Sequence, residues 1–101
     1  MDDPKDTITI HHEAHGDGGK YIAHVAGEDA TGYLEWEPRR DNVRVAAHTI
    51  VPDAIGGRGV AGKLVKALIA DAREQGFKVD PQCWYVAMKF DRNPDWADLR
   101  V

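Results

Sequence analysis

Gly56-Gly57-Arg58-Gly59-Val60-Ala61-Gly62 lies between an apolar, β-branched run that ends at Val51 and a segment with apolar residues at helical spacing. Four glycines in seven residues carry a backbone-entropy cost, which argues that main chain comes close to something here. Amide groups at the start of a helix lack intrahelical partners and lie at the positive end of the helix dipole. A glycine-rich entry into a helix is therefore an anion cradle, most simply for a phosphate.

The elements on either side follow from periodicity. Val60, Leu64, Leu68 and Ala72, flanked by Ala61, Val65 and Ile69, make one apolar stripe, while Lys63, Lys66, Asp71, Arg73 and Glu74 fall off it. That spacing predicts an amphipathic helix stopped at Gly76. Upstream, residues 7–11, 21–26, 31–36 and 42–51 read as strands, with a polar, glycine-rich loop over 13–20 and turns over 27–30 and 38–41. Short connections make these four an antiparallel meander. Residues 77–79 begin a fifth strand, interrupted by Pro81, that reaches Cys83, and 84–90 form a short helix ended near Asn93-Pro94. A crossover through the long helix sets the fifth strand parallel to the fourth, with the glycine loop and Cys83 at the same ends of neighbouring strands. The expected fold is α+β: a mixed sheet of four antiparallel strands, then glycine loop, helix, parallel fifth strand and short C-terminal helix.

At 101 residues and 43% apolar content, the chain has material for one core and is read as a single domain over 7–101 behind a frayed, disordered tail at 1–6. It has no long apolar run and no basic-then-apolar N-terminus, so a cytoplasmic location is expected, with no membrane partner. Cys83 is the single cysteine, which excludes an internal disulfide or multi-cysteine zinc site. Thirteen basic and seventeen acidic residues give a net charge of −4, offering no general attraction to nucleic acid.

Several patterns overlap on the glycine stretch. Gly57 through Lys63 nearly spells a P-loop, but Leu64 stands where a hydroxyl must hold magnesium. Gly57-x-Gly59-x-x-Gly62 also spells the dinucleotide-binding fingerprint, with Asp80 at a fitting distance. Against it, Pro52-Asp53-Ala54-Ile55 separates strand from glycines, and too few residues follow Asp80 for a doubly wound sheet.

The order of elements, with Gly57-Arg58-Gly59-Val60-Ala61, resembles the GNAT N-acetyltransferase superfamily. Its phosphate loop has Arg or Gln, two residues, Gly, any residue, then Gly or Ala. The first of these positions is Gly56 here, and Arg58 is a candidate replacement donor. His48-Thr49-Ile50-Val51-Pro52, Pro81-Gln82-Cys83-Trp84-Tyr85-Val86 and Arg92-Asn93-Pro94-Asp95-Trp96 look like the minimal, roughly hundred-residue acetyltransferase-like subgroup, the likeness spanning about residues 18–101.

The resemblance implies acetyl-coenzyme A as co-substrate and no metal. Its pyrophosphate would lie on Gly56, Gly57, Arg58, Gly59, Val60, Ala61 and Gly62, and its pantetheine arm along Thr49, Ile50 and Val51. Strand backbone left unpaired between the fourth and fifth strands would stabilise charge on the thioester carbonyl. An amine acceptor must lose a proton before attack, and imidazole accepts protons near neutrality, which makes His48 the expected base. In the subgroup the matching His and Cys are the proposed active pair, so Cys83 is expected as nucleophile, activated by His48, or as acid. Tyr85 is a third candidate acid. The expected acceptor is a protein lysine, a protein N-terminus or a small amine such as a polyamine. Nothing selects an oligomeric interface, so a monomer or weak homodimer is expected. Two further readings stay open: a non-catalytic acyl-coenzyme A-binding module, and a dinucleotide binder.

His12-Glu13-Ala14-His15 falls one residue short of a His-Glu-x-x-His zinc motif and is read as solvated loop, with no metal expected. Trp36, Trp84 and Trp96, without a basic stripe beside them, are read as core or edge packing.

Overall fold

The computed structural model describes residues 7–101, so the expected tail at 1–6 lies outside the described residues. Its elements run β1 (Ile8–His15), β2 (Gly18–Val25), β3 (Thr31–Arg39), β4 (Val43–Ile50), α1 (Val60–Gln75), β5 (Lys78–Pro81) and α2 (Trp84–Arg92). One sheet holds all five strands in sequence order, the first four antiparallel and β5 parallel to β4. This is the mixed α+β architecture that the patterning predicts.

Helix α1 lies across one face of the sheet. Its stripe of Leu64, Val65, Leu68, Ile69 and Ala72 is buried against Tyr21, Ala23 and Val25 of β2 and Leu34 and Trp36 of β3, with Val86 and Phe90 of α2 completing the same core. Each such side chain contributes about 1.5–3 kcal/mol by leaving water. Gly76 ends α1 in the left-handed region at φ 81, its amide returning to the Ala72 carbonyl. Here the sequence expectation and the structure agree to the residue.

The first hairpin corrects an expectation. Residues 13–20 are no loop: β1 and β2 pair through Glu13↔Lys20 and Ala14↔Gly19 to His15↔Gly18, and only Gly16-Asp17 turns, with Gly16 at φ 54. The ladder satisfies backbone groups that a loop would leave to water. The glycines that look like loop markers serve packing. A Cβ at Gly19 would fall 2.8 Å from the Trp36 indole. Strand β3 likewise runs past Pro38 to Arg39. Its pairing with β2 ends at Gly19↔Trp36, so Pro38 lies where one edge is free. The turn falls on Arg40-Asp41-Asn42, where Asp41 (φ 64) and Asn42 (φ 60) take the left-handed conformation those residue types tolerate.

One irregularity matters for the site. Glu35 pairs with His48 but Trp36 pairs with Ala46, so Ala47 is an extra residue in β4.

Candidate active site

The glycine stretch enters α1 as the sequence suggests, though not every glycine is required by conformation. Gly57 (φ 73) and Gly59 (φ 78) occupy the left-handed region, whereas Gly56 is extended at φ −70. Before them, Asp53–Ile55 forms a 3-10 turn whose Ile55 is fully buried, which anchors an otherwise exposed loop. No side chain caps α1, and the first helical bond runs from Lys63 N–H to the Gly59 carbonyl, so the amides of Val60, Ala61 and Gly62 have no helical acceptor. Arg58, the candidate donor, is ion-paired with Glu28 of the β2–β3 turn at 3.6 Å. Tyr85 and Lys89 of α2 reach the same turn, their hydroxyl and ammonium lying 3.7 and 3.8 Å from where a Cβ on Gly62 would sit.

Beside this cradle the sheet opens. Strands β4 and β5 pair from Val43↔Lys78 to Ala46↔Pro81, and Cys83 N–H donates a last bond to the Ala46 carbonyl at 2.8 Å. The chain then leaves the sheet, because Cys83 is the N-cap of α2. From His48 to Ile50, β4 pairs with β3 on one side and, among the described residues, with no strand on the other.

Cys83 and Thr49 meet across that opening, the thiol donating to the Thr49 hydroxyl at 3.5 Å. Burial pushes the Cys83 thiol up. The Thr49 hydroxyl and the amides of Val86, Tyr85 and Thr49 outweigh it and hold the thiol below its ordinary value. A thiol at the positive end of a helix is favoured as thiolate for the same reason.

His48 lies elsewhere. Residues directly opposite in an antiparallel pair share a face. Thr49 pairs with buried Leu34 on the α1 side, while His48 pairs with Glu35 on the other. His48 and Cys83 therefore leave the sheet on opposite sides of the same opening. The thiol's hydrogen bond across the opening is with Thr49. His48 is exposed and lines a cavity of about 640 Å³ on the uncovered face, with Asp17, Glu35 and Glu37. Tyr85 is half-buried, edge-on to Trp84 at 5.8 Å, with the Lys89 ammonium 5.6 Å from its ring centre. Ile50 is 48% exposed, and Val51 packs partly against the core.

The histidine cluster separates by strand parity. His12 faces α1: it stacks on Tyr21 at 4.5 Å and accepts the Trp36 indole N–H at Nε2, 2.9 Å away. An indole only donates, so His12 is neutral with its proton on Nδ1. Burial, then the Arg44 cation, push its pKa down, with Asp71 opposing. His15 lies on the other face, beside His48. No group of three or more His, Cys, Asp or Glu among the described residues is arranged to hold a metal ion. The reading of Trp84 as packed is corrected: at the first position of α2 it is 76% exposed.

Residues 20–99 match the family model described as GCN5-related N-acetyl-transferase. The chain belongs to that family. Members of this N-acetyltransferase family use acetyl-coenzyme A as acetyl donor, and the uncapped amides beside the opening fit its pyrophosphate. The chain is also similar to Protein NATD1 of Xenopus tropicalis, Mus musculus and Homo sapiens, at 43% identity over 47 residues. That match covers 46% of this chain and 42–43% of each relative, less than half of either.

Two structural features of this candidate site escape the motif reading: the Thr49 hydroxyl as partner of Cys83, and the carboxylates around His48. Alternation of faces along β3 and β4 would have found both, given the extra residue at Ala47.

Proposed function

We propose that the chain moves an acetyl group from acetyl-coenzyme A to an amine. The observation that carries this reading is the parting of β4 from β5 beyond Ala46, directly beside the uncapped start of α1. Bound acetyl-coenzyme A supplies the acetyl group as a thioester. The amides from Gly57 to Gly62 hold its pyrophosphate, with Lys89 and, once released from Glu28, Arg58 adding positive charge. The free backbone at the end of β4, from Thr49 to Val51 just beyond it, aligns the pantetheine arm, and its N–H groups stabilise charge on the carbonyl oxygen.

His48 takes the proton of the incoming ammonium on the uncovered face. Cys83, on the helix side, protonates the departing thiolate, and its depressed pKa makes it a competent donor. The placement of the two side chains on opposite sides supports this direct attack within a ternary complex. A second reading, an acetyl-thioester on Cys83, draws support from the same depressed pKa, since the thiolate is the nucleophile. Tyr85 remains an alternative acid.

Calorimetry with acetyl-coenzyme A and free coenzyme A tests the core of the proposal, because heat in neither titration overturns it. With binding established, turnover of acetyl-coenzyme A with an amine separates an enzyme from a non-catalytic acyl-coenzyme A-binding module. Intact-mass measurement after incubation without acceptor distinguishes the routes: an acetyl adduct abolished by Cys83→Ala supports the covalent one, and its absence supports direct attack. A dinucleotide binder would instead be stabilised by NAD and not by coenzyme A.

A further inference from the structure

The cavity around His48 has a distinctive charge. Asp17 comes from the β1–β2 turn, and Glu35 and Glu37 from β3, while the lining includes no lysine or arginine. None of the three carboxylates has an ion-pair partner among the described residues. Lys20, directly across from Glu35 in the sheet, turns its ammonium over the Tyr33 ring at 4.6 Å. At about 640 Å³ the cavity is within the usual range for a small-molecule site, and His48 opens into it from the unpaired stretch of β4.

Resting on the acetyl-transfer reading above, we infer that this cavity selects a polyamine as the acetyl acceptor. An acceptor amine must be neutral to attack. A lysine side chain or simple monoamine, once deprotonated, brings no charge to offset three carboxylates. A polyamine gives up one proton at its reacting end and keeps ammonium groups elsewhere along the chain, where Glu37 and Asp17 hold them. The binding charges and the reacting nitrogen are thus different atoms of one ligand, and the carboxylates orient the reacting end toward His48 while favouring the bound form. The step balances: the ammonium proton passes to His48 and on to water, the N–C bond forms as the thioester C–S bond breaks, the thiolate of coenzyme A takes the proton of Cys83, and the second proton released by nitrogen as the amide forms returns through solvent to Cys83.

The test compares spermidine, n-butylamine and an acetyl-capped lysine amide as acceptors at saturating acetyl-coenzyme A, together with calorimetric binding of spermidine to the coenzyme A-bound protein. Spermidine is expected to exceed butylamine in kcat/KM by roughly tenfold or more at low salt, the gap narrowing as salt screens the charges. Glu37→Gln should lower kcat/KM for spermidine by about fivefold, the upper end for an exposed ion pair, and leave butylamine little changed. Equal rates for the three acceptors, preference for the lysine amide, or equal effects of Glu37→Gln on spermidine and butylamine overturn the inference. Spermidine that binds through Glu37 without being acetylated supports the site and overturns the enzymatic reading. Acetylation of monoamines with no spermidine binding does the reverse.

Discussion

The two faces of the sheet are built from the same strands and do opposite things. The face under α1 buries Tyr21, Ala23, Leu34 and Ala46 with almost no exposure, and its polar groups are committed: Tyr21 donates to Asp71 at 2.7 Å and accepts from Arg44. The other face carries His11, His24, Glu35, His48 and the half-exposed Ile50, with no helix over them among the described residues. His11 and His24 stack there at 4.9 Å, linked by a 3.0 Å hydrogen bond, and Glu13 joins the pair. One side holds the core, together with the Cys83–Thr49 pair at its edge, and the other holds His48 among exposed polar groups.

This division can be broken from either side. The largest expected effect is on the chemical side, where His48→Ala should lower kcat/KM by about 10²–10⁴-fold, as for loss of a general base. Its unfolding free energy should move by no more than about 0.5 kcal/mol, because nothing is buried there. A large fall in stability by urea denaturation would show His48 to be a structural residue. Leu68→Ala reverses the pattern. It should cost about 2–5 kcal/mol of stability through the cavity it leaves, with kcat/KM little changed at a temperature where the variant stays folded.

Thr49→Val sharpens the comparison at the opening itself. Without the hydroxyl, Cys83 should titrate higher, and alkylation by iodoacetamide at about pH 7 should slow by roughly two- to tenfold. An unchanged rate would mean that the α2 amides alone hold the thiolate.

The smallest effect is a pH dependence confined to the covered face. His12 has a folded pKa below its unfolded 6.5, so the unfolded chain binds its proton first as pH falls. Stability should be fully present above about 6.5 and decline below it, and an NMR titration should place the His12 midpoint under that value. Tyr21 acts at the other end. Burial, then its bond to Asp71, push its pKa up, so stability should fall as pH rises past about 10, where the unfolded tyrosine ionises.

Legibility in the sequence followed the range of the interactions. The stripe from Val60 to Ala72 and the stop at Gly76 are local, and the structure repeats them. The glycine loop could be placed, but its sequence did not reveal that only Gly57 and Gly59 need positive φ or that Arg58 pairs with Glu28. Gly18 and Gly19 misled because their cause lies across the sheet in Trp36, 17 residues beyond Gly19. The sequence placed the glycine loop and Cys83 at the same ends of neighbouring strands, and in the structure Cys83 borders the opening beside β4. The sides taken by His48 and Cys83 were not legible, since facing depends on register, and register here depends on one irregular residue.

That residue is Ala47. Regular alternation from Ala46 would have sent position 48 under the helix and position 49 out to solvent. A single inserted alanine advances the phase of the strand by one step, which turns the imidazole outward and the threonine hydroxyl inward to the thiol. Deleting it would leave Ala46 opposite Trp36, His48 opposite Glu35 and Thr49 opposite Leu34 in an unbroken ladder, so the imidazole would stay outward and the hydroxyl inward while the local bend is lost.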